Sequence, residues 1–145
     1  MSKKVLNVEQ YKELALRTVK PHSSKELAIS DWALGLGGEL SEVITLVDTG
    51  CEDKMEMAKE IGDILWYSVA LAAELGYELP SDIFALSHEF ASDKFHCATC
   101  LVDQEPEKTS IIKLAITIGT IQEKIKHIIM HKEGADYKPV VKLIS

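Results

Sequence analysis

The chain has 145 residues, of which 46% are hydrophobic and 27% charged, and its formal net charge is −7. These values favour one globular domain over a disordered chain, and the negative charge argues against a nucleic-acid polymer as a partner. No apolar run approaches the roughly 18 residues of a membrane-spanning helix, and the N-terminus MSKKVLNVEQ lacks an apolar signal region, so we expect a cytoplasmic protein with no membrane partner.

Helical patterns run through nearly the whole chain, and no convincing alternating strand interrupts them. In chain order the predicted helices cover roughly 8–20, 30–48, 54–76, 80–95 and 110–131, with a short last helix starting around 139. Asn7 with Gln10, and Asp53 with Glu56, have the spacing of capping boxes at the starts of the first and third helices. The sequence therefore predicts an all-α bundle.

The pattern divides the chain into a predicted helical core over 1–95, a polar linker over 96–109 and a C-terminal helical extension over 110–145. We expect the extension to pack on the core or on a partner subunit. The chain has three cysteines, an odd number, and we expect it to be cytoplasmic, so a disulfide framework is improbable. His96, Cys97 and Cys100 in the linker could supply part of a zinc site, although a closed site needs four ligands and one C-x-x-C is weak support.

Two pairs of acids lie on the apolar faces of consecutive predicted helices. At ~100° per residue, Glu39 and Glu42 fall within or beside the apolar stripe of the second helix. Glu60 and Asp63, in the segment KEIGDILWY, take the equivalent positions on the third helix. Because the connecting segment is short, the two helices should be antiparallel neighbours, and the four carboxylates should converge between them.

Four neighbouring carboxylates persist when they are protonated, paired with lysines or bound to cations. An oxygen-only set favours Mg²⁺ or Mn²⁺ over zinc or iron, and Mg²⁺ commonly binds substrate phosphates as well, which points to a nucleotide. Arg17 is the only arginine, so lysines and metal ions would have to offset phosphate charge. Acids at i, i+3 are also common on exposed helices, and one such pair alone would mean little.

The segments GELSEV and KEIGDILWY together resemble the E-x-x-E and E-x-x-D signature of the MazG-like all-α nucleoside triphosphate pyrophosphohydrolases. That superfamily includes dimeric dUTPases, dCTP pyrophosphatases and phosphoribosyl-ATP pyrophosphatases, and the resemblance covers roughly residues 5–95. It implies an antiparallel four-helix bundle, here with additional C-terminal helices, that assembles as a homodimer or homotetramer. It also implies hydrolysis of a nucleoside triphosphate to the monophosphate and pyrophosphate, with a role in control of the nucleotide pool.

The resemblance implies that Glu39, Glu42, Glu60 and Asp63 bind Mg²⁺, with Mn²⁺ as a possible substitute. It further implies that Glu39 or Glu42 acts as the catalytic residue that orients or deprotonates the attacking water. The base and sugar preference, and the choice between these two acids, stay open.

Three further residues are candidates for substrate binding: Trp32, which could stack on a base, Tyr67, one turn after the acid pair, and Lys94, which could contact phosphate. The window SHEFASDKF keeps Lys94 of the K-x-x-x-N-x-x-K-[YF] motif found in many relatives, but has Ser87 and Ala91 in place of its lysine and asparagine. This departure favours the alternative hypothesis, a non-catalytic helical oligomer that binds nucleotides or protein partners, whereas the intact four-acid motif disfavours it.

Three glycines, Gly35, Gly37 and Gly38, precede the first acid pair. They do not form a G-x-G-x-x-G motif after a strand, and each costs a helix ~1 kcal/mol relative to alanine. We therefore expect them to serve close helix packing or to leave room for a ligand next to Glu39.

Overall fold

The structure, a computed structural model, describes residues 7–79, 108–131 and 137–144. In these ranges every regular element is an α-helix: α1 (Val8–Leu16), α2 (Lys25–Asp48), α3 (Lys54–Glu74), α4 (Lys108–His131) and α5 (Lys138–Ile144). The all-α prediction is therefore confirmed. The helix predicted over 80–95 lies outside the described residues, and with it Lys94 and the candidate zinc ligands. No described helix is long and apolar enough to cross a membrane.

Helix α1 begins with the predicted capping box. The Gln10 backbone N–H donates to Asn7 Oδ1 at 2.8 Å, and the Asn7 N–H donates to Gln10 Oε1 at 3.2 Å. The helix ends at Leu16, earlier than predicted, because the backbone N–H and Oγ1 of Thr18 both donate to Ala15 O, at 3.0 and 2.7 Å. These short-range bonds close the last turn and release the chain for the connection to α2.

Helix α2 begins at Lys25, earlier than predicted, because Ser24 rather than a later residue is its N-cap. The Ser24 Oγ accepts a hydrogen bond from the Leu27 N–H at 3.1 Å. Asp53 caps α3 as predicted, and its Oδ1 accepts from two backbone N–H groups of the first turn at 2.9 and 3.3 Å. The local residues thus fix the start of each long helix around the acid pairs.

Helices α2 and α3 form the centre of the described bundle. The short connection over 49–53, in which Gly50 has a φ of +65°, makes them antiparallel neighbours. Helix α4 packs on α2, the short α5 packs on α4 and α3, and α1 packs on α3. The main core contains the fully buried Ile29, Leu71 and Val140, while Val8 and Val69 belong to a second cluster between α1 and α3.

Candidate functional site

Three of the four acids predicted from the sequence meet between α2 and α3. One carboxylate oxygen from each of Glu39, Glu42 and Glu60 lies within 4.8 Å of the others. Asp63 is outside this close group, but its negative charge is near enough to raise the pKa of Glu39. The structure therefore shows a cluster of three carboxylates with a fourth beside it.

The members of this cluster differ in their exposure to solvent. Glu60 is only 3% exposed, Glu39 and Asp63 are half-buried, and Glu42 is exposed. Glu42 and Asp63 each lie about 60° around the helix axis from the first acid of their pair, which puts both at the edge of the apolar stripe. At that edge, the packing of the neighbouring helix decides whether a side chain is covered.

Glu60 is the most buried charged side chain of the cluster and is incompletely paired. Its Oε1 accepts a hydrogen bond from Lys59 Nζ at 2.7 Å, whereas its Oε2 is buried and has no hydrogen-bond partner. A buried acceptor without a partner costs ~1–3 kcal/mol, and more when it is charged. A proton shared with Glu39 or a cation between the oxygens would remove this cost.

The pKa of Glu39 lies above the ordinary value of a glutamate. Burial raises its pKa first, and the negative charges of Asp63, Glu42 and Glu60 raise it further. A hydrogen bond with Glu60 also raises the pKa of Glu39, so a protonated Glu39 can donate to the Glu60 carboxylate. When both are ionised, the two carboxylates repel each other, and a cation between them would offset the repulsion. The oxygen-only donors and the orphaned Glu60 oxygen thus fit a hard divalent cation such as Mg²⁺ or Mn²⁺.

Three aromatic side chains of α2 and α3, Trp32, Trp66 and Tyr67, pack against one another near the acid cluster. The Trp32 ring lies 5.6 Å from Trp66 and 6.2 Å from Tyr67, centroid to centroid, and Trp66 and Tyr67 are in edge-to-face contact at 5.0 Å. Burial raises the pKa of Tyr67 first, and the charges of Glu39, Asp31 and Asp63 raise it further. The Tyr67 phenol therefore lies within the electrostatic reach of the cluster.

Trp32 also lines a small cavity at the start of α2. The cavity has a volume of about 210 Å³, and residues before and within the first turns of α2, together with one α3 acid, form its wall: Val19, Lys20, Pro21, His22, Ser24, Lys25, Ala28, Trp32 and Glu74. His22 packs edge-on against Trp32 at 4.8 Å, and its Nε2 donates to Asp31 Oδ2 at 2.8 Å. Two lysines and an imidazole thus line the same cavity as Trp32.

The three glycines of α2 have different surroundings. A Cβ at Gly35 would overlap the ring of Tyr67, and a Cβ at Gly37 would overlap Nε2 of Gln122. By contrast, nothing lies within 4 Å of a Cβ at Gly38. Gly35 and Gly37 therefore serve close packing, as expected, and the space beside Gly38 is open next to Glu39.

Four residues around the site were missed by the sequence analysis: Lys59, His22, Asp31 and Gln122. The position of Lys59 next to Glu60 could have drawn attention to it, although neighbours on a helix point about 100° apart. No local pattern links His22 to Asp31. Gln122 Nε2 donates to Ala33 O at 2.8 Å across 89 positions in sequence, a contact that only tertiary packing creates.

Comparison with protein families adds support from outside the structure. Residues 29–90 match the family model described as the MazG nucleotide pyrophosphohydrolase domain. The matched segment begins in the first half of α2 and includes all four acids. Comparisons with curated proteins and with solved structures find no match.

Proposed function

Because residues 29–90 belong to the MazG-like superfamily of nucleotide pyrophosphohydrolases, we propose that this chain hydrolyses a nucleoside triphosphate to the monophosphate and pyrophosphate. The observation that carries this proposal is the carboxylate cluster of Glu39, Glu42 and Glu60 with its buried, unpaired Glu60 oxygen. A cluster of this chemistry suits the metal-assisted binding of a polyphosphate.

Glu39, Glu42 and Glu60 are the residues that would hold Mg²⁺ or Mn²⁺, with Asp63 as the fourth acid beside them. Bound there, the cation supplies charge compensation for the triphosphate and for the leaving pyrophosphate. Because Glu60 is only 3% exposed, electrostatic interactions at its carboxylate are less screened by water than in free solution.

Glu39 or Glu42 is the proposed acceptor of the proton from the attacking water. The water oxygen forms a bond to the α-phosphorus, the bond from that phosphorus to the bridging oxygen of pyrophosphate breaks, and the water proton passes to the carboxylate. Glu39 has the more enclosed position, and Glu42 the more accessible one. A carboxylate held by its helix in fixed geometry also orients the water before attack.

Trp32 and Tyr67 are the proposed substrate contacts. Trp32 and Glu39 are seven residues apart on α2, which is about two turns or ~10 Å on the same face. The cavity of about 210 Å³ beside Trp32 is below the ~300 Å³ of typical small-molecule pockets, so it suits a base rather than a whole nucleotide. Tyr67 is 6.2 Å from Trp32, ring centre to ring centre, and the charges of Glu39 and Asp63 act on its phenol, so it is the proposed contact for the sugar. Lys94 remains a proposed phosphate contact from the sequence.

Assembly as a homodimer or homotetramer is also part of the proposal. Ile112 and Ile116 are 57% and 63% exposed and lie one turn apart on α4, and Met130 farther along is 72% exposed. Large apolar side chains at such exposure on one helix favour burial against a second copy. A cytoplasmic location and a role in control of the nucleotide pool complete the hypothesis.

The test is pyrophosphate release from a panel of ribo- and deoxyribonucleoside triphosphates with Mg²⁺. We expect release from at least one substrate and a loss of ~100-fold or more in Glu60→Gln, as for removal of a group that stabilises transition-state charge. Glu56→Gln is the matched control, because Glu56 is an exposed acid on the same helix and outside the cluster. Release unaffected by Glu60→Gln would exclude this site. No release from any substrate by a folded protein would favour the non-catalytic oligomer.

A further inference from the structure

Lys59 forms an ion pair with Glu60, the residue that follows it directly in the sequence. Neighbouring residues on a helix diverge by about 100° and do not normally face each other. The Lys59 side chain is 65% exposed, yet its Nζ reaches back to within 2.7 Å of Oε1 of Glu60, which is only 3% exposed. The flexible stem of lysine makes this possible, and the attraction of a buried carboxylate explains it.

The charges around Lys59 show why it takes this position. Its hydrogen bond to Glu60 raises its pKa most, and the charges of Glu60, Asp63 and Glu42 raise it further. A single ammonium therefore neutralises part of a cluster that carries several negative charges. It also leaves the second Glu60 oxygen unpaired, so the neutralisation is incomplete.

We propose that Lys59 is an exchangeable counter-ion, which pairs with Glu60 in the metal-free protein, gives up Glu60 to a divalent cation and then pairs with a phosphate group of the nucleotide. The first half follows from the shared carboxylate, because an ammonium and a divalent cation beside the same oxygens repel each other. The second half rests on the proposed function, since a cation held by these acids would bring the phosphates to the same place.

The exposure of Lys59 makes the second half physically feasible. Only the Nζ end of Lys59 is engaged, so the side chain can turn from Glu60 to solvent without disturbing the core. Arg17, the only arginine of the chain, pairs with Glu13 on α1 at 3.0 Å and supplies no charge to the cluster. Lys59, already placed at the cluster, would therefore supply positive charge to the phosphates beside the acids that would hold the cation.

The experiment measures binding by isothermal titration calorimetry in two steps, first Mn²⁺ alone and then inorganic pyrophosphate in the presence of saturating Mn²⁺. In Lys59→Gln we expect Mn²⁺ to bind ~3- to 10-fold tighter, because its competitor is gone, and pyrophosphate to bind ~3- to 10-fold more weakly. Lys59→Arg retains the positive charge and should bind Mn²⁺ like the wild type.

Lys126→Gln is the matched control, since Lys126 forms a comparable ion pair with Glu123 at 3.0 Å, is 55% exposed and lies on α4. It should leave both affinities unchanged, whereas Glu60→Gln should weaken Mn²⁺ binding. Unchanged or weaker Mn²⁺ binding in Lys59→Gln would overturn the inference, as would unchanged pyrophosphate binding or Mn²⁺ binding that is insensitive to Glu60→Gln. The titrations measure binding and not hydrolysis. A failure of this inference can therefore be distinguished from a failure of the proposed reaction.

Discussion

The ring of Tyr67 on α3 lies against the backbone of α2 at Gly35, where any larger residue would overlap it. This contact lets α2 and α3 approach closely just before the first acid pair. It also holds the Tyr67 phenol where the charges of Glu39, Asp31 and Asp63 act on it. One glycine thus couples the helix packing to the geometry of the candidate site.

Gly35→Ala should therefore destabilise the protein, although alanine is intrinsically the better helix former. The added methyl must displace the Tyr67 ring, and overpacking of this kind costs ~1–3 kcal/mol. Urea unfolding followed by circular dichroism measures the free energy. Gly119→Ala on α4 is the control, because Gly119 is exposed with nothing within 4 Å of an added Cβ. It should stabilise by up to ~1 kcal/mol. Equal effects of the two substitutions would contradict the packing role.

Tyr67→Phe should raise KM for the triphosphate with little change in stability. The ring that packs on Gly35 is kept, and only the hydroxyl near the acids is lost. The raised pKa keeps Tyr67 protonated at neutral pH, so its hydroxyl can donate to the substrate. A lost hydrogen bond of 0.5–1.5 kcal/mol corresponds to a KM increase of about 2- to 10-fold. Steady-state kinetics of Tyr67→Phe and of Tyr77→Phe, a control tyrosine three residues after the end of α3, measure the effect. Equal KM values for the two variants would argue against substrate contact by Tyr67.

Gly37 and Gln122 should be energetically coupled. Gly37→Ala pushes against the Gln122 amide, whereas Gln122→Ala removes the bond to Ala33 O at a cost of ~1 kcal/mol. In the double variant the truncated side chain leaves room for the new methyl, so it should be more stable than the sum of the single effects by ~0.5 kcal/mol or more. A double-mutant cycle from urea unfolding tests this. Strict additivity of the two changes in unfolding free energy would mean that Gly37 and Gln122 are not coupled across the α2–α4 contact.

The metal-free protein should lose stability as the pH rises from 4.5, the ordinary pKa of a glutamate, to values above the raised pKa of Glu39. In that range the folded protein binds more protons at Glu39 than the unfolded chain, so the free energy of unfolding falls with increasing pH. Glu39→Gln cannot titrate, and the difference between wild type and this variant isolates the effect. Unfolding in chelator across this range measures it. A wild type that gains stability relative to Glu39→Gln with rising pH would refute the prediction.

Much of the helical organisation could be predicted from the sequence. The caps at Asn7 and Asp53 were identified correctly because a cap depends on residues only two or three positions away. The Ser24 cap was missed, since its sequence neighbours are polar and gave no periodic signal upstream of the apolar run. The early end of α1 was missed because Thr18 supplies an alternative hydrogen bond.

The sequence by itself determined that Glu39, Glu42, Glu60 and Asp63 would lie on or beside the inward faces of two adjacent helices, because the helical period is local. Only the tertiary structure decided that Glu60 is buried while Glu42 is exposed, and that one Glu60 oxygen has no partner. Burial depends on which neighbouring helix covers a position and how closely it approaches. That approach is set by contacts such as Tyr67 on Gly35, between residues far apart in the chain.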